Sequence, residues 1–568
     1  MFSFKNSLIE TDQKLKKIGL KGLMVFIALI ITQAGCAQNT SSPVDAPDTD
    51  EETSDVTNAA RNPVLWADVP DPSIIRVREA YYMSSTTMHF NPGVPIMKST
   101  DLVNWEIVNY VYDTLGDSDA FLLQNGQNAY GEGTWASSLR YHDGTFYLAT
   151  FSNTTGNTYV FRTNDIESGS WETFTIDRLF HDPSLLFDDG RAFLLYGVDN
   201  IMIIELTADA TALKPNGVDQ VLIPNSKDIA GENFYVPAEG AHIRKINGYY
   251  YVSLISWPAG DGRTQLTYRS GSLLGDYTGR ISLQDNGIAQ GGLIDTPNGD
   301  WYGFLFQDHG SVGRIPQLVP VHWENDWPIF GIDGKVPEQL DIQAEDDDPT
   351  GVVASDEFDG EAGPAQYNDE TSIIAGLSLV WQWNHNPDSE NWSLDERPGY
   401  LRLTNAELDT SWVDTRNTLT QRTFGPQSTG TILMDTQRMK DGDYAGFGAL
   451  QGTNGFVGVK KADGQTHLVM VKETPENQEE IETLSLNQDE VYLRIAFDFE
   501  NRTDKAYFYY SLDGESWNQI GDTLQMQYTL DHFVGYRFAL FNYATETTGG
   551  SVDFDYYRIE TELFSTTN

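Results

Sequence analysis

A chain of 568 residues is too long for one domain, and its formal net charge of −47 excludes nucleic acid and anionic membrane surfaces as partners, because both are held by basic patches. Aromatic residues make up 12% of the chain, which suits an all-β core and equally suits carbohydrate, whose apolar faces stack on rings. The single cysteine, Cys36, leaves no internal disulfide.

Residues 1–36 read as a lipoprotein-type signal peptide. Lys14, Lys16, Lys17 and Lys21 precede the apolar run Leu23 to Ile31, and Ala34-Gly35 lead into Cys36. A lipid on Cys36 is then the only attachment to a membrane. A plain signal peptide cut nearby and a membrane-spanning anchor are the other readings; the apolar run is short for the second. Residues 37–61, rich in Ser, Thr, Asp, Glu and Pro, read as an acidic, solvated tether. The expectation is a secreted protein anchored in the cell envelope, in the periplasm or on the outer surface.

From 62 to 340 a hairpin unit recurs at intervals of roughly fifty residues. A short apolar strand turns back into an aromatic strand, with equal spacing in Asp71 to Tyr82, Ala136 to Tyr147, Asp182 to Phe193, Glu239 to Tyr250 and Gly291 to Tyr302. Four of the turns carry Asp143-Gly144, Asp189-Gly190, Asn247-Gly248 and Asn298-Gly299, dipeptides suited to two-residue hairpins because they accept positive φ. The first copy has Arg78-Glu79-Ala80 there. Five such units predict a five-bladed β-propeller. Equivalent positions of each blade ring the axis at one end, so Asp71, Asp182 and Glu239 are expected to converge on one pocket. Turn-forming acids that merely open strands account for one of the three, and poorly for three in register. Trp105 and Trp171 fit packing between blades.

The motifs Trp66-Ala67-Asp68-Val69-Pro70-Asp71-Pro72-Ser73, Tyr81 to Thr87, Lys98 to Trp105, His181-Asp182-Pro183-Ser184 and Pro237-Ala238-Glu239-Gly240 together resemble glycoside hydrolase family 43 across all five blades. The resemblance implies inverting hydrolysis of β-xylosides or α-L-arabinofuranosides, with Asp71 as general base, Glu239 as general acid and Asp182 tuning and orienting the acid. It also implies that Arg314 hydrogen-bonds the sugar and that His309 faces the central channel, where it contacts a calcium ion or water. A lone His at that place is more often a satisfied polar residue. Trp135 is expected as a stacking wall, and His89, Phe90 and Trp257 as rim contacts. Beyond a structural calcium no cofactor is expected. The chemistry stands on the residues as well. Glycoside cleavage needs one carboxylic acid and one carboxylate on opposite faces of the sugar, and an acid kept protonated near neutral pH needs burial or a neighbouring negative charge.

The acidic stretch 341–354 reads as a linker. From 355 to 568 the alternation of Tyr400-Leu401-Arg402-Leu403, Val491 to Phe497 and Ala506 to Tyr510 predicts a β-sandwich. Trp381 to Pro387 with Trp392 and Arg397 to Tyr400 resembles the concanavalin-like domain attached to many family members. Its expected role is structural, sometimes lending a loop to the active-site rim; an independent carbohydrate-binding module is the alternative. The leading expectation is an exo-acting inverting glycosidase on polysaccharide or oligosaccharide, with an endo-acting arabinanase or a non-catalytic glycan-binding surface lipoprotein as alternatives.

Overall fold

The computed structural model describes residues 59–343, 351–360, 372–474 and 477–565. The leader with Cys36, the tether up to residue 58 and part of the expected linker lie outside the described residues. Two compact units divide the chain at Ala59 and Ala60, and all that follows concerns the second. Among the described residues no helix is long and apolar enough to cross a membrane.

Five four-stranded antiparallel sheets follow one another in chain order, and their innermost strands contact in sequence, the fifth touching the first. This is the five-bladed propeller. The innermost strands are Ser73–Val77, Thr134–His142, Ser184–Asp188, Phe234–Ile246 and Ile288–Asp295. Asp143-Gly144, Asp189-Gly190 and Asn247-Gly248 form the expected turns, both residues of each at positive φ, the type I′ geometry that matches strand twist. Asn298-Gly299 does not: its strands end at Asp295 and resume at Trp301, so the fifth hairpin carries a five-residue loop.

The serines of the two Asp-Pro-Ser motifs, and Ser138 in the matching place of blade two, are stitches between blades. Ser73 Oγ accepts the Leu139 amide at 3.0 Å, Ser138 Oγ the Leu185 amide at 2.9 Å, and Ser184 Oγ the Ile243 amide at 3.1 Å. Each bond satisfies an inner-strand donor that the axis would otherwise leave without a partner. The fourth blade has His242 in that position. Burial and the nearby Arg140 push it down to about 3, so it is a neutral ring.

The three acids are not strictly equivalent. Asp71 and Asp182 each stand seven residues before the first turn residue (71 to 78, 182 to 189), whereas Glu239 stands eight before it (239 to 247). The repeat position in blade four belongs to Gly240. It has φ +65°, beside +53° for Asp71 and +49° for Asp182. Register breaks on both sides of Glu239 absorb the extra residue, as β-bulges near active sites do. Trp105 is buried edge-on against Phe304 of blade five at 5.5 Å, and Trp171 packs on the core between blades one and two, as expected.

The C-terminal part is a sandwich of two eight-stranded sheets. Its outermost strand on one side is Phe90–Asn91, given by the first blade and paired with Trp383 and Asn384. That pairing overturns the expectation that His89 and Phe90 form a rim. Both are 1% exposed. The His89 ring packs 4.9 Å from His385 and 4.7 Å from Tyr130, and Arg537 lies over Phe90 at 3.8 Å. The described end of the expected linker is also enclosed: Val352 and Val353 are fully buried in a core shared by blade one and the sandwich. Trp381 and Trp383 are fully buried too, their indole N–H groups donating to Asp356 at 2.8 Å and to the Ile373 carbonyl at 2.6 Å. They are sandwich core.

Candidate active site

At the end of the propeller where the inner strands begin, Asp71 is 6% exposed. Its Oδ2 accepts the Thr86 hydroxyl at 2.6 Å, and both its oxygens lie 3.2 Å from the Arg314 Nη1. Arg314 opens the third strand of blade five, and it is anchored from three sides. Its amide donates to Asp68 at 2.7 Å, its carbonyl accepts the Val69 amide at 2.9 Å, and its Nη2 donates to the Phe533 carbonyl at 3.2 Å. Its Nε is buried with no protein partner. Asp71 therefore has a fixed orientation and a countercharge.

The other two acids form a separate cluster with a residue that the sequence reading did not single out. His181 Nε2 lies 3.2 Å from Glu239 and 3.5 Å from Asp182. Asp182 also accepts the Gly240 amide at 3.1 Å, so the residue that displaces Glu239 by one place also positions its neighbour. Burial, with the charges of Glu239 and Asp71, pushes Asp182 up to about 7 against the pull of His181. Burial alone would depress His181, but Asp182 and Glu239 outweigh it and hold the ring up at about 9. Asp182 and His181, 3.5 Å apart, interact strongly enough to titrate as a coupled pair. The only hint of His181 in the sequence was its place directly before Asp182.

Aromatic rings surround the carboxyls. The Trp135 ring lies 6.1 Å from His181 and 6.1 Å from Phe151. Phe533 comes from the sandwich: its ring lies 5.4 Å from Trp135, and the Arg314 guanidinium sits over it at 4.5 Å. The Phe533 loop is tied down where Asp68 accepts the Gly535 amide at 2.9 Å. Trp257 lies further along blade four, paired with Val236.

His309 packs edge-on against Trp66 at 5.0 Å. Burial and Arg502 lower it to about 4, and its neighbour Asp308 is paired with Arg263. Among the described residues the only group of three or more His, Cys, Asp or Glu side chains with converging ligand atoms is His181, Asp182 and Glu239, within 4.8 Å. Calcium takes six to eight oxygen ligands, and a metal-binding imidazole must be neutral. The cationic His181 does not fit that ion; His309 is a neutral ring but offers one nitrogen donor, and among the described residues no group of three or more carboxylate or imidazole side chains converges on it.

Residues 60–328 match the model of glycosyl hydrolases family 43, and 375–560 match the beta-xylosidase C-terminal concanavalin A-like domain. A beta-xylosidase of Formosa agariphila is 28% identical over 87% of this chain and 89% of its own length. A non-reducing end alpha-L-arabinofuranosidase of Bacteroides ovatus is 29% identical over 60% of this chain and 64% of its own. Among solved structures, a bifunctional GH43-CE protein of Bacteroides eggerthii superposes with a TM-score of 0.86 at 49% identity. That match covers 89% of this chain, which spans 64% of the longer protein.

Proposed function

Because this chain belongs to glycosyl hydrolases family 43 and is a glycoside hydrolase, we propose that it is an inverting exo-glycosidase that removes terminal β-D-xylosyl or α-L-arabinofuranosyl residues from polysaccharides or oligosaccharides. One observation carries the reading: the site divides its carboxyls into one paired with Arg314 and Thr86, and a separate cluster in which His181 stands between Asp182 and Glu239. Glu239 protonates the glycosidic oxygen as the C–O bond breaks. Asp71 takes a proton from a water that attacks the anomeric carbon from the opposite face, and the product leaves with inverted configuration. The Arg314 Nε, buried and without a protein partner, is the donor for a sugar hydroxyl. Phe533 supports exo action, because a sandwich loop brought up to Trp135 turns an open groove into a pocket. The lipid anchor on Cys36 and the envelope location complete the proposal.

The direct test is hydrolysis of aryl β-xyloside and aryl α-L-arabinofuranoside. Turnover of either supports the reading and identifies the sugar. Turnover of neither, with internal cleavage of arabinan, overturns exo action in favour of an endo-enzyme.

The pH profile follows from the cluster. The alkaline limb of kcat/KM falls between about 7 and about 9, the values held by Asp182 and His181. Below 9 the cationic His181 lowers Asp182, so its removal lets Asp182 keep its proton to higher pH. His181→Gln therefore lowers activity and moves the alkaline limb upward by on the order of one unit, the effect of losing an opposite charge within ~4–6 Å. A limb that stays in place, or moves down, contradicts the assignment.

A further inference from the structure

Past the stitching serines, towards the hairpin turns and away from the carboxyls, the propeller axis gathers arginines that the mechanism does not use. Arg76 stands on the inner strand of blade one, Arg140 on that of blade two and Arg244 on that of blade four. We infer that this axial shaft binds a halide ion such as chloride, between the guanidiniums of Arg140 and Arg244. The inference does not depend on the glycosidase reading above.

Geometry is the first argument. The Arg140 Nε donates to the Leu185 carbonyl at 2.8 Å, its Nη1 to the Leu139 carbonyl at 2.7 Å, and its Nη2 to Ser184 Oγ at 3.1 Å and to the Ile243 carbonyl at 3.2 Å. Those acceptors belong to blades two, three and four, so the guanidinium lies across the axis. Arg244 Nη1 donates to the Leu293 carbonyl of blade five. Leu139, Leu185 and Ile243 each follow a stitch position, and Leu293 follows Gly292, which lies beside the His242 ring. The two guanidiniums are therefore held at one level of the shaft. Of the five N–H groups that an arginine offers, Arg244 uses that one in a hydrogen bond to the described residues. Its side chain is 31% exposed, so an ion from solvent can reach the others.

Charge is the second. In a chain of net charge −47, three cations stand here with one carboxylate within ion-pair distance among the described residues, Asp295. It is bound to Arg76 and lies 3.9 Å from the Arg244 Nη2. Glu79 and Tyr81 act on Arg76 as well. Arg140 has no acidic partner among the described residues. Its acceptors are neutral oxygens, which fix the guanidinium without cancelling its charge. Burial, and then the like charge of Arg244, lower it to about 9, and the His242 ring beside it is neutral. A cation taken out of water is costly without a counterion. A halide supplies one, because it is spherical and accepts charge-assisted N–H donors from two sides at once.

The test is thermal melting of the whole chain at one ionic strength, with sodium chloride or sodium gluconate as the salt. Gluconate is too large for the shaft and serves as the reference. Chloride is expected to raise the melting temperature saturably over gluconate, by about 3 °C at roughly a hundred times its dissociation constant. Arg244→Gln is expected to abolish that rise. The same melting temperature in both salts for the unaltered chain, or a rise that persists in the folded variant, overturns the site. If Arg244→Gln fails to fold by circular dichroism, crystals of the unaltered chain soaked in sodium bromide carry the test. An anomalous peak beside Arg140 in the shaft is expected, and a shaft without one overturns the assignment. None of these outcomes bears on hydrolysis, so the glycosidase reading stands or falls by its own test.

Discussion

Replacing Glu239 by Gln is expected to lower kcat/KM by about 10³-fold on a substrate whose leaving group is a sugar, within the ~10²–10⁴ range for loss of a general acid or base. The amide keeps the size and hydrogen-bonding of the carboxyl but has no proton to give. The loss therefore depends on the leaving group. A dinitrophenyl glycoside, whose phenolate departs unprotonated, should lose less than tenfold. The alkaline limb of the pH profile should flatten with that substrate, because the proton delivered to the leaving oxygen no longer enters the rate. Equal losses on both substrates would assign Glu239 a merely structural place beside His181.

Asp71→Asn is expected to show the opposite pattern: a loss of ~10³–10⁴-fold that is the same for good and poor leaving groups. Base assistance to water is needed whatever departs. The variant has a second consequence. Arg314 is 3% exposed and its guanidinium has Asp71 as its close carboxylate partner, so removing the negative charge leaves a buried cation without its partner, which is destabilising. A lowered melting temperature should accompany the activity loss. Asn keeps the Thr86 contact, and Arg314 remains anchored through its backbone to Asp68 and Val69, so the fold persists. A loss confined to poor leaving groups would exchange the roles of Asp71 and Glu239.

What the chain discloses locally was legible. Asp-Gly and Asn-Gly turns between apolar strands are local chemistry, and their recurrence shows the blades. The three acids beside them follow from that repeat. The one-residue displacement of Glu239 escapes a spacing counted to the aromatic residue, which is the same for Glu239 to Tyr250 as for Asp182 to Phe193. Counted to the turn, Glu239 stands one residue further from Asn247 than Asp182 does from Asp189, and the register breaks around Glu239 show the bulge that absorbs it. His181 carries no periodic signal, since its meaning lies in Glu239, 58 residues away. Phe533 and the Phe90–Asn91 strand were hidden for the same reason. Each serves the other half of the molecule, and no local pattern records a contact across hundreds of residues. The expectation of a rim at His89 and Phe90 failed on that point: the loop lies near the site in sequence, but the sandwich takes it up as a strand.

The central claim is that Asp71 directs a water to the anomeric carbon while Glu239 protonates the leaving oxygen. The measurement that reaches it most directly is proton NMR of the anomeric signal of the first sugar released, recorded before mutarotation. The account predicts that the first anomer formed is opposite in configuration to the glycoside. Release of the same anomer would mean two displacements through a covalent intermediate, with a carboxylate as nucleophile, and would contradict the assignment of Asp71 as a base.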